Sequence, residues 1–191
     1  MKLRVGIVIL AAGESSRLGQ PKQLLPFRGK TLIEHVVDSA LKSRLRPIIV
    51  VLGANAEQIR PKIFDEVRIV ENPHWKEGMA SSIRCGIEAI KSDIDAVILM
   101  LCDQPLITAE ILNRLAENED ASLAAAEYDG TIGVPALFSR EFFADLRNLQ
   151  GKEGAKKILL ANETRIVRIA CGEAAMDVDT MADVQRLQSF E

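Results

Sequence analysis

ILAAGESSRLGQPKQLLPF, residues 9–27, ends an apolar run that begins at Val5 and hands it to a turn of small residues. Val5 to Leu10 is aliphatic with no alternating polar face, the pattern of a parallel strand buried on both sides. Ala11, Ala12 and Gly13 then leave the backbone bare enough for the oxygens of an anion to reach its amide groups. Arg17 and Lys22 follow within reach of the same anion. The glycine spacing fits neither GxGxxG nor GxxxxGK[ST], so neither the dinucleotide fingerprint nor the ATPase phosphate loop accounts for it. The segment reads as a loop that grips a nucleoside triphosphate, with Leu10, Ala11, Ala12, Gly13, Arg17 and Lys22 as its contacts.

Outward from this loop, aliphatic stretches recur at 47–52, 66–70, 95–101 and 121–126, after the first at 3–10. Segments with helical spacing and start signals lie between them, which predicts a doubly wound, Rossmann-like, mostly parallel sheet with helices on both faces. Thr31 with Glu34, Thr108, Ser139, and Thr180 with Asp183 are the helix-start signals. Further strands are expected at 134–138 and 165–170, one of them antiparallel because Asp129-Gly130 is a hairpin-type turn. In such sheets ligands sit beyond the carboxyl ends of the strands, where both the Ala11 loop and Asp103 fall.

A chain of 191 residues with 48% hydrophobic content is expected to form one domain over 1–191. A net charge of -3 and an aromatic content of 4% argue against a general nucleic-acid surface. Cys85, Cys102 and Cys171 are odd in number and widely spaced, as expected of reduced cytoplasmic thiols without a zinc knuckle. The start, MKLRVGIVILAAG, reads as a buried strand leading into a patterned domain rather than as an export signal. No segment approaches the roughly 20 apolar residues that span a bilayer, so no membrane is expected.

Asp103 follows VILMLC at the end of a strand apolar enough to be central, well placed to hold Mg²⁺ against a phosphate. Mg²⁺ uses few protein carboxylates, and a second is expected from Asp177 or Asp179 in MDVDT, with Asp179 preferred. Gly78 opens a helix whose first turn carries Ser81 and Ser82, a place for an anion or a ribose. Gly53, Ala54 and Asn55 end the second strand at the same edge and are candidates to read the base. His35 and His74 lack a partner at catalytic or metal-ligand spacing, and Cys102 reads as a packing residue.

The quoted block follows LAAGxSxRxGxxKQLLP and resembles the signature of the MobA-like nucleotidyltransferases, most closely their molybdenum cofactor cytidylyltransferase branch. NPHWKEGMASSIRCGI at 72–87, LCDQP at 101–105, GVPALF at 133–138 and MDVDT at 176–180 are similar to later family blocks in the same order. The resemblance implies a fold like that of the nucleotide-diphospho-sugar transferases. It implies transfer of CMP from CTP, or of another NTP's nucleotide, to the terminal phosphate of molybdenum-bound molybdopterin. It also implies Mg²⁺ at Asp103 and Asp179, Arg17 at the departing pyrophosphate, Lys22 at the α-phosphate, Ser82 and Gly78 at the nucleoside, and a molybdenum hydroxylase or its chaperone as partner. The Ala11-Ala12 pair resembles the cytidylyl branch, whereas the guanylyl branch has a second glycine there. Val134 departs from the His that often precedes Pro in that branch, and Met181 from the usual Pro after DxDT. Two further readings are a different phosphorylated acceptor and a non-catalytic nucleotide-binding accessory protein. The presence of Arg17, Lys22, Asp103 and Asp179 together argues against the second.

Overall fold

The computed structural model describes residues 3–117 and 121–190; the ends of the expected 1–191 domain and residues 118–120 lie outside the described residues. In chain order the strands are β1 (Val5–Ala11), β2 (Pro26–Phe27), β3 (Lys30–Thr31), β4 (Ile48–Leu52), β5 (Arg68–Glu71), β6 (Ala96–Leu101), β7 (Leu123–Tyr128), β8 (Thr131–Ser139) and β9 (Ile166–Ala170). The helices are α1 (Leu32–Lys42), α2 (Ala56–Ile59), α3 (Met79–Glu88), α4 (Ala109–Leu115), α5 (Phe143–Asn148), α6 (Lys156–Ala161) and α7 (Met181–Gln188).

One seven-stranded sheet has the order β5-β4-β1-β6-β8-β7-β9, and β2 and β3 form a separate hairpin. β1 runs parallel to β4 and β6, β4 to β5, and β7 to β9, whereas β8 is antiparallel to both β6 and β7. The reversal comes from the expected turn: Asp129 and Gly130 have φ of 48° and 72°, and positive φ at both central residues is what a type I′ hairpin requires. β1, β4 and β6 are buried along nearly their whole length, which is why they read as unbroken apolar runs.

Alternate residues of these strands feed two cores. Ile7, Ile9, Ile98 and Met100 pack with Val36 and Val37 of α1 and Leu112 of α4. On the other face, Val8, Leu10, Val97 and Leu99 pack with Ile83 and Ile87 of α3 and Leu146 of α5. A third, smaller core joins Leu18, Leu25 and Phe27 to Met176, Val178 and Leu187. It fastens the segment after β1 to the C-terminal segment. From β1 the chain first crosses to β4 on one side and only later to β6 on the other, so the ends of β1 and β6 flank the topological switch point.

Helix starts follow the cap signals with one exception. Thr31 and Glu34, and Thr180 and Asp183, form reciprocal capping boxes, and Thr108 accepts from the Ile111 amide. Ser139 makes no cap bond: its hydroxyl turns to Glu141, and the chain passes through a 3₁₀ turn over Arg140–Phe142 before α5 begins. Among the described residues no helix is long and apolar enough to cross a membrane.

The capping boxes carry a pH signature. The Glu34 carboxyl lies below its ordinary value chiefly because the Thr31 hydroxyl and then its amide donate to it, and Thr180 acts likewise on Asp183. A depressed folded value contributes stability that is complete above the ordinary carboxylate range and lost as pH falls through the folded value. Thr31→Ala should therefore lower stability to urea by about 1 kcal/mol at neutral pH. The gap to wild type should narrow below pH of about 4. A gap that stays constant down to acid pH would show that the Glu34 carboxylate takes no part.

Candidate active site

β1 and β6 are in register with Leu10 opposite Leu101, and the Cys102 amide donates to the Leu10 carbonyl at 3.2 Å. The Ala12-Gly13 turn and Asp103 consequently leave the sheet side by side. The loop after β1 folds back on itself through Gln23, which is 0% exposed and donates from Nε2 to the carbonyls of Ala11 and Gly13, both at 2.9 Å. Ser15, at a φ of 59°, accepts the Lys22 amide on its hydroxyl at 3.0 Å. These bonds return Lys22 to the mouth of the turn.

MDVDT arrives from the opposite end of the chain. Met176 and Val178 are buried in the third core, and the Val178 amide donates to the Asp103 carbonyl at 3.1 Å. Alternation turns Asp177 and Asp179 outward, leaving Asp177 exposed and Asp179 at the site. Lys22 Nζ donates to Asp103 Oδ2 at 2.5 Å and to Asp179 Oδ1 at 2.6 Å, and Arg17 Nη1 lies 3.6 Å from Asp179 Oδ2. Burial is the largest influence on Lys22 and pulls its ammonium down, yet Asp103 and Asp179 outweigh it and hold the group above its ordinary value. Burial pushes the Asp103 carboxyl up, and the Lys22 ammonium opposes that. The Cys102 thiol is pushed up to about 12, by burial first and then by Asp103, and so stays protonated.

A cleft of about 300 Å³ opens above these groups. Leu10, Ala12, Gly13, Lys22 and Asp103 line it from the sheet side, Gly78 just before α3 and Ser82 within it from the other, with Trp75 as an aromatic wall. Arg17 and Asp179 line an adjoining depression that shares Gly13 and Lys22 with the cleft. Ala11, Ser81 and the base-reading candidates Gly53, Ala54 and Asn55 are not among the residues that line this cleft. Ala11 is buried, its carbonyl held by Gln23. Gly53 lies beneath the cleft, where a Cβ would come within 2.7 Å of Trp75 Cβ and 2.9 Å of Ala12 Cβ; its bareness lets the wall and floor meet.

The start of α3 also differs from expectation. The Ala80 amide donates to the Gly151 carbonyl and the Ser81 amide to the Gly78 carbonyl, both at 3.2 Å, so two of the amides offered to a ligand are satisfied internally. Gly78 has a φ of 116°, and a Cβ on it would come within 2.5 Å of the Gly151 oxygen. What Ser82 brings to the cleft is its hydroxyl. His35 bonds the Phe27 carbonyl at 2.6 Å and His74 lies 3.5 Å from Glu77, and neither lines the cleft. Gln23, Asn72, Trp75 and Gly151 are the residues that sequence reasoning passed over. Gln23, Asn72 and Trp75 at least stood inside motif blocks, Trp75 as the single tryptophan of the chain.

The carboxylates suit a hard divalent cation. Asp103 Oδ1 is buried without a hydrogen-bond partner, and a buried polar atom of that kind asks for one. Asp103 and Asp179 already converge on one cationic centre, the Lys22 ammonium. Among the described residues no group of three or more His, Cys, Asp or Glu is placed to hold a metal alone. Two carboxylates supplemented by phosphate and water oxygens is the habit of Mg²⁺.

Comparison with known proteins agrees with this geometry. Residues 7–166 match the MobA-like NTP transferase domain. Nicotine blue oxidoreductase of Paenarthrobacter nicotinovorans is 31% identical, with 94% of each chain covered. The molybdenum cofactor cytidylyltransferase of Escherichia coli K12 is 25% identical, covering 94% of this chain and 93% of its own. Rv0371c of Mycobacterium tuberculosis H37Rv superposes with a TM-score of 0.88 at 30% identity over 99% of this chain and all (100%) of its own. Its complex with manganese gives 0.83 at 28% identity over 97% and 98%.

Gln23→Leu should lower stability to urea by roughly 1–3 kcal/mol, because two carbonyls lose a buried donor. It should also make the 12–21 segment the first site of proteolytic cleavage. Gln23→Glu should be worse, since a carboxylate oxygen would then face the same carbonyls. Wild-type stability in the Leu variant would show that the loop holds its shape by other means.

Proposed function

The chain belongs to the family of MobA-like NTP transferase domains, a family of nucleotidyltransferases, and on that premise we propose that it transfers CMP from CTP to the terminal phosphate of molybdenum-bound molybdopterin. The observation that carries this reading is the convergence of Lys22, Asp103 and Asp179 beneath the Ala12-Gly13 turn, with Arg17 alongside. An acceptor phosphate oxygen forms a bond to the α-phosphorus of CTP. The bond from that phosphorus to the bridging oxygen breaks, and the electron pair leaves with pyrophosphate. The acceptor is a phosphate monoester, already anionic near neutral pH, so no general base is needed, and it is no obstacle that neither histidine lines the cleft.

Catalysis of this kind works by positioning and by neutralising charge. The Ala12 and Gly13 backbone leaves room for the triphosphate. Lys22 serves the α-phosphate, and Arg17, 73% exposed in its side chain, swings with the departing pyrophosphate. Asp103 and Asp179 would hold Mg²⁺, which when bound would supply positive charge to the phosphate oxygens; the manganese complex of Rv0371c supports a divalent cation in a relative of this kind. The Ala12 methyl narrows the cleft floor, favouring cytosine over the larger guanine. We place the reaction in the cytoplasm, in keeping with three free cysteines, and its product with a molybdenum hydroxylase or its chaperone.

The kinship with nicotine blue oxidoreductase favours a second reading, hydride transfer, for which a cation clasped by two carboxylates has no evident use. Thermal shift separates the two. CTP with Mg²⁺ should raise the melting temperature and EDTA should remove most of the gain, since a ligand bound only by the folded state stabilises by mass action. NADH or NADPH should do neither, and an equal shift from them would favour the oxidoreductase reading.

In a pyrophosphate-release assay with molybdopterin, Asp103→Asn should abolish turnover without changing circular dichroism. Asp179→Ala should be nearly as damaging and Asp177→Ala less so. Wild type should prefer CTP over GTP by about tenfold in kcat/KM, roughly 1.4 kcal/mol, with Ala12→Gly narrowing the ratio. Turnover with another phosphorylated acceptor and none with molybdopterin would move the acceptor while keeping the chemistry.

A further inference from the structure

Asn72 directly follows β5, and its 3% exposed side chain lies against the first turn of α3. The orientation of its amide is decided by the backbone. The His74 amide, which can only donate, meets Oδ1 at 2.9 Å, so the opposite end of the side chain must be the NH₂ group. Its hydrogens go to Ser81 Oγ at 2.8 Å and Ser82 Oγ at 3.1 Å. Ser81 passes its own hydrogen to the Gly78 carbonyl at 2.8 Å. Ser82 receives from Asn72 in the same way, yet its hydrogen finds no acceptor among the described residues, and the residue lines the cleft while only 6% exposed.

We propose that Asn72 is a positioning residue that sets the hydrogen-bond polarity of Ser82. By occupying a lone pair of Ser82 Oγ from behind, it turns the hydroxyl hydrogen toward the cleft. The nucleotide atom read there is then an acceptor: a base carbonyl, an unprotonated ring nitrogen or a ribose oxygen. The inference rests on the reading of this cleft as a triphosphate site.

Asn72→Asp isolates that role. The carboxylate keeps the acceptor that faces the His74 amide, but its other oxygen also accepts. The Ser82 hydrogen is then drawn inward and a lone pair faces the nucleotide. Asn72→Ala merely frees the hydroxyl to rotate, so a ligand can still draw the hydrogen out. Titration calorimetry with CTP and Mg²⁺ should show Asn72→Asp and Ser82→Ala each weakening binding about tenfold and Asn72→Ala by less than about threefold. In the Ser82→Ala background, Asn72→Asp should add no further loss. In pyrophosphate release the loss should fall on KM with kcat little changed, because the contact is made alike in the ground and transition states.

Losses from Asn72→Asp and Ser82→Ala that multiply would mark Asn72 as general support for α3 and overturn the proposal. So would wild-type affinity in Asn72→Asp, or an Asn72→Ala variant weaker than Asn72→Asp. If circular dichroism shows that the buried carboxylate prevents folding, the cycle is run with Asn72→Ala, whose smaller loss must vanish in the Ser82→Ala background. Wild type that binds no nucleoside triphosphate at all would remove the reading of the cleft and this proposal together. Tight wild-type binding with independent variant effects removes the proposal alone.

Discussion

One ammonium group holds three distant parts of the chain to a single point. Lys22 comes from the loop after β1, Asp103 from the end of β6 and Asp179 from the segment before α7, and the contacts at 2.5 and 2.6 Å join them. Desolvating such charges is expensive, and a buried ion pair is weak evidence of net stability; removing one partner, by contrast, strands the others. Here the count is also uneven. Two carboxylates face one buried cation, Arg17 makes up part of the difference from an exposed position, and Asp103 Oδ1 is left without a partner. The packing around the cluster thus holds two cations against two carboxylates, with one buried carboxylate oxygen that neither cation reaches.

What brings these groups together is backbone, placed by apolar side chains that never touch the cleft. Met176 and Val178 are set in the third core, and the Val178 amide bonds the Asp103 carbonyl, so the aspartates on either side of Val178 have no freedom to choose their face. Leu18, Leu25 and Phe27 anchor the other side of the same core and with it the loop that carries Lys22. The chemistry at the switch point therefore depends on a small hydrophobic cluster below it as much as on the main sheet.

Much of this was legible in the residues alone, for local reasons. An aliphatic run leading to Ala11-Ala12-Gly13 marks a buried strand and a bare turn, Asp129-Gly130 marks a hairpin, and alternation in MDVDT marks which side chains share a face. Thr31 with Glu34 is a local signal too, and it held. Ser139 shows the limit of such signals, since Glu141 two residues on captured the hydroxyl that would have capped a helix. Long-range roles left no local trace. Nothing near Gln23 says that its amide spans two carbonyls, and nothing near Gly53 says that Trp75 will lie across it. The Ala80 amide at the start of α3 looked available because its acceptor, the Gly151 carbonyl, comes from far along the chain.

The meeting of Gly78 and Gly151 has a bearing on descent. A Cβ at Gly78 would run into the Gly151 carbonyl oxygen at 2.5 Å and its carbon at 2.8 Å, while Gly151 itself turns at a φ of 54°. A side chain gained at the first position would push the second segment off the helix start and expose the amide it satisfies. The dependence runs one way: among descendants of this chain Gly78 is held twice, by the Gly151 carbonyl and by its own φ of 116°, so a lineage that reshapes the 150–154 segment lifts only the first constraint, whereas Gly151 answers to its own φ of 54°, a Cβ there meeting only the Glu77 oxygen at 3.9 Å.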